Sequence, residues 1–311
     1  MSAAPPSLGV EAAGIQFQNP VILAAGTAGY GRELADLVDL DALGGLVTKA
    51  VSVEPRQGAP APRVAEFDGG MINAVGLANP GLDAVRSDHL PWLATHIRRA
   101  RVLVNVIGTT IDDFVAVASA LDAAPGVSAL ELNVSCPNVR CGGTEFGADR
   151  AVLADLVGQV RRATARPLFV KLSPTLPDIA GTAAAAIDAG ADGITVVNTL
   201  PGLLIDVERR RPVLGYGTGG VSGAALLPIG VLATWKVSRA VRAPVIGVGG
   251  IATAEDIVQY LLAGATLVGV GTAAMQDPRL PERLVHALGA WCARHGVHTL
   301  ADVIGRLEWP S

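Results

Sequence analysis

The sequence predicts an α/β protein built as a closed (β/α)8 barrel with long loop insertions over the C-terminal mouth. The chain has 311 residues, of which 50% are hydrophobic and 17% charged, so it can bury a large core. Short apolar runs recur eight times, each ending in Gly, Asn, Ser, Thr or Lys. Most are followed by a segment with helical spacing, an alternation typical of parallel barrels. Because such barrels reach this length, we expect a single domain over residues 1–311.

Each predicted strand is rich in Val, Ile and Leu over its whole length. Continuous apolar runs are typical of parallel strands that are covered on both faces. The predicted strands, in chain order, are 21–26 (VILAAG), 44–50 (GGLVTKA), 102–108 (VLVNVIG), 129–135 (ALELNVS), 167–173 (PLFVKLS), 193–199 (GITVVNT), 244–250 (PVIGVGG) and 267–272 (LVGVGT).

Helical spacing follows most of these strands, and several of the segments begin beside a capping Asp, Ser or Thr. The second strand lacks a prompt helix. Residues 51–101 and 200–225 are Gly- and Pro-rich insertions, which we place as loops over the mouth of the barrel. A doubly wound open sheet is the structural alternative. The predicted helices are 33–40, 112–123, 150–165, 179–189, 226–241, 254–263 and 282–294.

Charge and hydropathy exclude several classes of function. The net charge is −4 and the pI about 5.7, with no basic stripe, so we expect no nucleic-acid partner. The N-terminus MSAAPPSLGVEAAG lacks the regions of a secretory signal, so we expect a cytoplasmic protein. The uncharged stretch 257–276 is broken by glycines. Together with a mean hydropathy of +0.43, it indicates a buried parallel sheet rather than a membrane span.

Lysine and asparagine are rare and fall at informative places. Of 24 basic residues only Lys49, Lys171 and Lys236 are lysine, and the first two stand at strand ends, where a compact, tunable ammonium suits chemistry. The alternative is that each pairs with an acid or reaches solvent along its aliphatic stem. Three asparagines interrupt apolar strands near their C-terminal ends, and their amides match a planar ligand edged with N–H and C=O groups. These are Asn105, Asn133 and Asn198.

The last two predicted strands end in glycine-rich turns, GVGG at 247–250 and GVGT at 269–272. Glycines let the backbone approach an anion, and a helix N-terminus adds N–H donors. In barrels this is the phosphate position after strands seven and eight. The pair of motifs therefore predicts a ligand that carries phosphate, although tight βα turns need glycine in any case.

The three cysteines do not form a metal or disulfide pattern. Cys136 and Cys141 have neither redox-pair nor common zinc spacing. Cys292 fits burial as a small apolar residue. Cys136 differs, because it follows a strand end among Asn133, Ser135 and Asn138 in the stretch ELNVSCPNV, where a catalytic role competes with packing.

Taken together, these stretches resemble the class 1B dihydroorotate dehydrogenases, specifically their catalytic, FMN-binding subunit. The resemblance covers nearly the whole chain. It is carried by NPVILAAGTAGYGRE, GLVTKAVSVEPRQGAPAPRVAE, GMINAVGLANPG, ELNVSCPNV, VKLSP, VVNTLPGLLIDVERRRPVL, TGGVSG and PVIGVGGIATAEDIVQYLLAGATLVGVGT. It implies an FMN-bearing barrel that oxidises (S)-dihydroorotate to orotate in de novo pyrimidine (UMP) biosynthesis.

The resemblance also implies roles for individual residues. Cys136 would be the base that removes the carbon-5 proton while hydride passes to FMN. The substrate would be held by Lys49, Asn73, Ala74, Val75, Gly76, Leu77, Asn133, Asn138, Asn198 and Thr199. FMN would be held by Ala25, Gly26, Lys49, Ala50, Asn105, Asn133, Lys171, Val197, Gly223, Gly249, Gly250, Gly271 and Thr272, with Lys171 stabilising negative charge on the reduced ring.

Class 1B membership implies a partner subunit carrying FAD and a [2Fe-2S] cluster, through which electrons reach NAD, and a homodimer of catalytic chains within a heterotetramer. The chain departs from the family at Ala25, where serine is usual, at Ala28, where an aromatic is common, and at Ala50, where glycine or serine is usual. Two other enzymes stay open, a related flavin-dependent dihydropyrimidine dehydrogenase and a Schiff-base aldolase barrel. A barrel that only binds ligand is the non-catalytic alternative.

Overall fold

The computed structural model describes residues 6–135, 140–141 and 144–310. Eight parallel strands close into a barrel in which each strand pairs with its neighbours in chain order and the last pairs with the first. The predicted barrel is therefore confirmed, and the open-sheet alternative is wrong. The strands are β1 Val21–Leu23, β2 Gly45–Val47, β3 Arg101–Val106, β4 Ala129–Asn133, β5 Leu168–Leu172, β6 Gly193–Val196, β7 Val245–Val248 and β8 Leu267–Val270.

Helices connect the strands, and six of the seven predicted ones are present within a few residues of their expected bounds. The predicted caps are present as well: Thr110 and Thr253 each accept a hydrogen bond from the backbone three residues on, and Asp149 and Asp178 cap in the same way. The main helices are α1 Leu90–His96, α2 Ile111–Leu121, α3 Arg150–Ala163, α4 Ile179–Asp188, α5 Leu227–Ala240, α6 Ala254–Leu262 and α7 Leu280–Arg294.

The predicted helix at 33–40 is wrong. After β1 the chain runs through successive turns, in which Leu34 N–H donates to Gly31 O and Leu37 N–H to Leu34 O. Gly31 has φ of +91°, and the Glu33 carboxylate accepts from Tyr30 N–H rather than lying along a helix. A segment this short gains little from helical hydrogen bonds, so the burial of Tyr30 decides its course.

A helical run that the sequence pattern did not predict follows β2. It passes from Leu82–Ala84 through a π-helical turn, Val85–His89, into α1. Pro91 lies inside this run and has no N–H to donate, which argues against a helix at the sequence level. The π turn just before it is one of the local adjustments that let a helix continue.

The two insertions are not irregular loops. Together they build a four-stranded antiparallel sheet in the order Leu200–Gly202, Gly219–Ser222, Gly70–Asn73, Val64–Phe67. A small cluster of Ile72, Leu214, Ala59 and Ala74 lies under it. Because residues of this sheet face the cavity at the C-terminal ends of the barrel strands, the predicted placement over the mouth is confirmed, and we call this element the roof sheet.

Smaller elements complete the chain. Strands Val10–Ala12 and Ile15–Phe17 pair as a hairpin before β1, and Ile205–Asp206 pairs with Arg211–Pro212. Arg140–Cys141 pairs with Thr144–Glu145. Short helices lie at Leu40–Ala42, Ala224–Leu226, Thr272–Gln276 and Leu300–Asp302.

One hydrophobic core joins the barrel strands to the surrounding helices. Phe114 of α2 meets Phe146 edge-on at 5.7 Å between ring centroids, and both rings are fully buried. Each fully buried side chain of this size contributes about 1.5–3 kcal/mol. Cys292 belongs to the same core, so its interpretation as a small apolar residue is confirmed, and burial raises the pKa of its thiol. None of the helices in the described residues is long and apolar enough to cross a membrane.

Candidate active site

A cavity of about 1080 Å³ opens at the C-terminal ends of the barrel strands, beneath the roof sheet. Its volume is at the upper end for small-molecule sites. Every predicted site residue that the structure describes lines it: Ala25, Gly26, Lys49, Ala50, Asn73, Ala74, Val75, Gly76, Leu77, Asn105, Asn133, Lys171, Val197, Asn198, Thr199, Gly223, Gly249, Gly250, Gly271 and Thr272. Cys136 and Asn138 lie outside the described residues.

Three asparagines that interrupt the strands meet on one wall of the cavity. Asn133 Nδ2 lies 3.5 Å from Asn105 Oδ1, and Asn198 Nδ2 lies 3.4 Å from Asn133 Oδ1. Ser135 Oγ accepts from Asn198 Nδ2 at 2.7 Å and donates to Asn133 Oδ1 at 3.2 Å. Parallel strands bring their C-terminal ends to one rim, so residues far apart in the chain form one polar surface.

Two lysines add positive charge to the same cavity. Lys171, on β5, is 6% exposed, and Lys49 is half-buried just after β2. Within the described part of the chain, neither ammonium group has a carboxylate or another hydrogen-bond acceptor within reach. Two cations without partners favour a ligand that carries or develops negative charge.

The segment that follows β2 is held by a buried tyrosine. Lys49 N–H donates to Gly29 O at 2.7 Å, and the Tyr30 hydroxyl donates to Ala50 O at 2.8 Å. Burial, with a smaller contribution from the Glu33 carboxylate, raises the pKa of Tyr30 well above its usual value, so the phenol keeps the proton that makes this bond. The backbone at Lys49 and Ala50 is therefore fixed. Ala28, in the same segment as Tyr30, is fully buried.

Glycines form the wall near β7 and β8. Gly250 has φ of +73°, and a Cβ there would lie 2.5 Å from Leu227 N, which only glycine avoids. Gly249 O accepts from the buried Tyr260 hydroxyl at 2.7 Å. Thr272 Oγ1, at the start of the short helix after β8, donates to Ser222 Oγ of the roof sheet at 2.8 Å. Bare backbone of this kind suits the close approach of an anion.

The roof sheet supplies the opposite wall through the segment NAVGL at 73–77. Asn73 Nδ2 donates to Gly220 O at 3.3 Å. Gly76 and Leu77 follow with φ of +71° and +57°. A positive φ is strained for leucine, and the packed turn around Gly76 imposes it, since a Cβ at Gly76 would lie 2.4 Å from Ala59 N.

Sequence reasoning missed several polar groups. Ser135, Ser173, Thr175 and Ser222 line the cavity and received no role. Glu131 of β4 was also missed. It is 1% exposed and bonds to Asn105. A charged residue in the middle of an apolar strand was the available signal, because carboxylates are almost never fully buried without partners.

Fold and site together define a class of protein: a (β/α)8 barrel with an amide-lined, cationic cavity at its C-terminal mouth and a glycine-rich wall after the last two strands. The family model "Dihydroorotate dehydrogenase" matches residues 7–291. The chain belongs to the dihydroorotate dehydrogenase family.

Individual relatives agree with this assignment. The chain is 46% identical over 303 residues to a protein of Pelobacter propionicus, covering 97% of this chain and 99% of that one. It is 47% identical over 304 residues to a protein of Geobacillus kaustophilus, covering 98% and 96%. Both are named dihydroorotate dehydrogenase B (NAD(+)), catalytic subunit.

A solved structure is similar in fold. The crystal structure of DHODH in complex with ferulenol from Eimeria tenella superposes with a TM-score of 0.82 at 24% identity, covering 96% of this chain and 88% of that one. At this identity the likeness supports the barrel alone.

Proposed function

We propose that this chain is a class 1B dihydroorotate dehydrogenase catalytic subunit, which oxidises dihydroorotate to orotate in pyrimidine synthesis and acts as one FMN-binding barrel domain over residues 1–311. One observation carries the proposal. The unpartnered ammonium groups of Lys49 and Lys171 and the amides of three asparagines face one cavity. Dihydroorotate is a cyclic acylurea with a carboxylate, so its N–H and C=O edges match amides and its charge matches a lysine.

The residues present fit FMN. The glycine wall at 249–250 and 271 exposes backbone to the cavity, and a Cβ at Gly26 would meet no atom within 4 Å, so a ligand can lie against these positions. The amide wall suits a ring edged with N–H and C=O groups. We assign FMN binding to Ala25, Gly26, Lys49, Ala50, Asn105, Asn133, Lys171, Val197, Gly223, Gly249, Gly250, Gly271 and Thr272.

When bound, FMN supplies a two-electron acceptor for the hydride that leaves carbon 6 of the substrate. Lys171 provides a fixed positive charge where negative charge develops during reaction, and it does so from a site that is already desolvated. Asn105 and Asn133 orient the ring through their amides. The roof sheet covers the site and restricts water, which strengthens these interactions.

Lys49, Asn73, Ala74, Val75, Gly76, Leu77, Asn133, Asn138, Asn198 and Thr199 would hold the substrate. Lys49 would neutralise its carboxylate, and the turn at 76–77 lines the same cavity. Cys136 would take the carbon-5 proton, so that the C5–H electron pair forms the new C5=C6 bond as hydride departs from carbon 6. A thiolate does this near neutral pH only if its surroundings favour it.

Electron transfer beyond this chain would need a partner. The relatives' name, catalytic subunit, implies a second subunit in those proteins. We propose that here too a subunit with FAD and a [2Fe-2S] cluster accepts the electrons and passes them to NAD, within a cytoplasmic heterotetramer built on a homodimer of this chain. Co-purification of the two subunits and NAD reduction by dihydroorotate would test this.

The direct test is an absorbance spectrum of the purified chain, followed by anaerobic titration with dihydroorotate. We expect an FMN spectrum that bleaches with dihydroorotate and changes little with dihydrouracil. A protein without flavin, or a flavin reduced only by dihydrouracil, would contradict the proposal. Cys136→Ala should keep FMN and lose reduction almost completely. The matched control is Cys292→Ala, in the core away from the cavity, which should keep reduction.

A further inference from the structure

Glu131 is a buried carboxylate that the proposed mechanism leaves without a role. It lies on β4 and is 1% exposed. Its Oε1 accepts from Asn105 Nδ2 at 2.7 Å, and its Oε2 accepts from Thr195 Oγ1 at 2.8 Å. Thr195 lies on β6, two strands away around the barrel, and Asn105 lies opposite Glu131 on the adjacent β3, so the two bonds join three strands of the barrel. Burying such a group is costly unless its bonds serve the fold or the site.

Pairing with a positive charge does not explain why Glu131 is buried. Among the residues that the structure describes, no lysine, arginine or histidine nitrogen lies within 4.0 Å of the Glu131 carboxylate. Glu131 does not line the cavity, whereas its neighbours Asn105 and Asn133 do. It therefore lies behind the amide wall, where it contacts a wall residue and not the ligand space.

A carboxylate oxygen that faces Asn105 settles which way that amide points. An amide presents an acceptor at one end and two donors at the other. If the Asn105 amide were turned over, its oxygen would face the Glu131 oxygen at hydrogen-bond distance, and two acceptors would repel. Asn105 is therefore held with its NH2 toward Glu131 and its Oδ1 toward Asn133.

The direction continues through the wall. Asn133 turns its NH2 toward Asn105 at 3.5 Å, and its Oδ1 receives Asn198 Nδ2 at 3.4 Å. Asn198 Oδ1 in turn accepts from Thr199 N–H at 2.8 Å. A backbone donor thus fixes one end and a carboxylate the other, so that every amide between them donates in one direction. We call Glu131, Asn105, Asn133 and Asn198 the amide chain.

We infer that Glu131 is a positioning residue: as the terminal acceptor of the amide chain, it fixes the pattern of donors and acceptors that the cavity wall presents to a planar ring. The inference rests on the proposed function in that the ring is taken to be FMN. It assigns Glu131 a role through its acceptor capacity, not through its charge, and this distinction makes it testable by substitution.

Three variants separate the possibilities, with FMN affinity measured by fluorescence titration of the flavin-free full chain. Glu131→Met removes the acceptor at similar volume, and we expect the FMN dissociation constant to rise about tenfold, the effect of one misplaced hydrogen bond. Glu131→Gln keeps an oxygen for Asn105 and should recover affinity to within about threefold of wild type. Thr195→Val keeps the carboxylate and should bind FMN about as well as wild type.

Thermal unfolding of the same proteins provides the control, because a merely structural role would make FMN affinity follow the loss of Tm across the series. A Glu131→Gln variant as impaired as Glu131→Met would mean that charge matters, and it would overturn the inference. Glu131→Met that binds FMN like wild type would do the same. If wild type itself binds no FMN, the proposed function fails instead.

A second measurement needs no ligand and no stable Glu131 variant. In the wild-type apoprotein labelled with ¹⁵N, the Asn105 side-chain NH2 should give two distinct proton signals with slow solvent exchange, assigned by their loss in Asn105→Ser. A rapidly exchanging Asn105 amide would show that Glu131 does not hold it, and it would refute the inference whatever the flavin content.

Discussion

Replacing Lys171 by Met should stabilise the flavin-free protein. The lysine is 6% exposed and has no acidic partner among the described residues. An unpaired buried charge costs several kcal/mol when dry, but this one borders an open cavity, so removing it should yield about 1–2 kcal/mol. Since each kcal/mol shifts Tm by about 2–4 °C in domains of 150–250 residues, calorimetry should find a rise of about 2–8 °C.

The same change should impair the reaction. Loss of one preorganised group that stabilises developing negative charge costs about 10²–10³ in rate. Anaerobic stopped-flow reduction by dihydroorotate, followed at the flavin absorbance band, measures this step directly. Stability and reactivity are therefore expected to move in opposite directions, because the site keeps a charge that folding alone disfavours.

Lys236→Met is the matched control, since it removes the same charge from an exposed position on α5. It should change the free energy of unfolding by less than about 0.5 kcal/mol and leave the reduction of FMN by dihydroorotate intact. A Lys171→Met protein that melts earlier than wild type and is reduced at the wild-type rate would refute the reasoning, because it would mean that the ammonium has a stabilising partner and no role in the chemistry.

Three further outcomes are expected. Gly26→Ala and Gly14→Ala place alanine at φ of +80° and +74°, and no atom lies within 4 Å of either new Cβ. Each variant should therefore lose about 1–2 kcal/mol of unfolding free energy, measured by denaturant titration. Only Gly26→Ala should also weaken FMN binding. Equal FMN affinity in both variants would remove Gly26 from the site. Tyr260→Phe removes the hydrogen bond to Gly249 O and should therefore lower the free energy of unfolding by about 1 kcal/mol at neutral pH. Burial, then the Asp256 charge, raises the pKa of Tyr260, so the stability it contributes is complete below pH 10 and falls as pH rises further; a Tyr260→Phe penalty that grows at alkaline pH would contradict this. Burial alone would raise the pKa of Asp41, but hydrogen bonds from the N–H groups of residues 98–100 outweigh it, so the pKa is lowered. The stability that Asp41 contributes is therefore present above about pH 4 and is lost as pH falls below that. Asp41→Asn should flatten the acid unfolding profile, and an unchanged profile would count against this role.

The barrel was predictable because its strands are buried on both faces and therefore appear as continuous apolar runs. The rim residues were predictable for a related reason. Once the strands close in chain order, their C-terminal ends must share one edge, so Lys49, Asn105, Asn133, Lys171 and Asn198 meet there. Local pattern, combined with one topological rule, was sufficient for this part of the candidate site.

Local pattern misled where packing competes with propensity. The segment 33–40 has helical spacing, yet the buried Tyr30 and the positive φ of Gly31 hold it as turns. Residues 82–96 contain Pro91 and still form a helical run, because a π turn absorbs the missing donor. The two insertions have weak strand signals; each folds into a pair of antiparallel strands, and the two pairs join into one sheet.

The order of residues was sufficient to predict the eight barrel strands, the lysines and asparagines of the mouth, and the family. What lies behind the mouth depends on the tertiary structure. Glu131 bonds to partners 26 and 64 residues away, and no spacing rule connects them. The direction of the amide chain depends on which donor faces which acceptor, which is a property of atoms brought together across a closed barrel and not of their order along the chain.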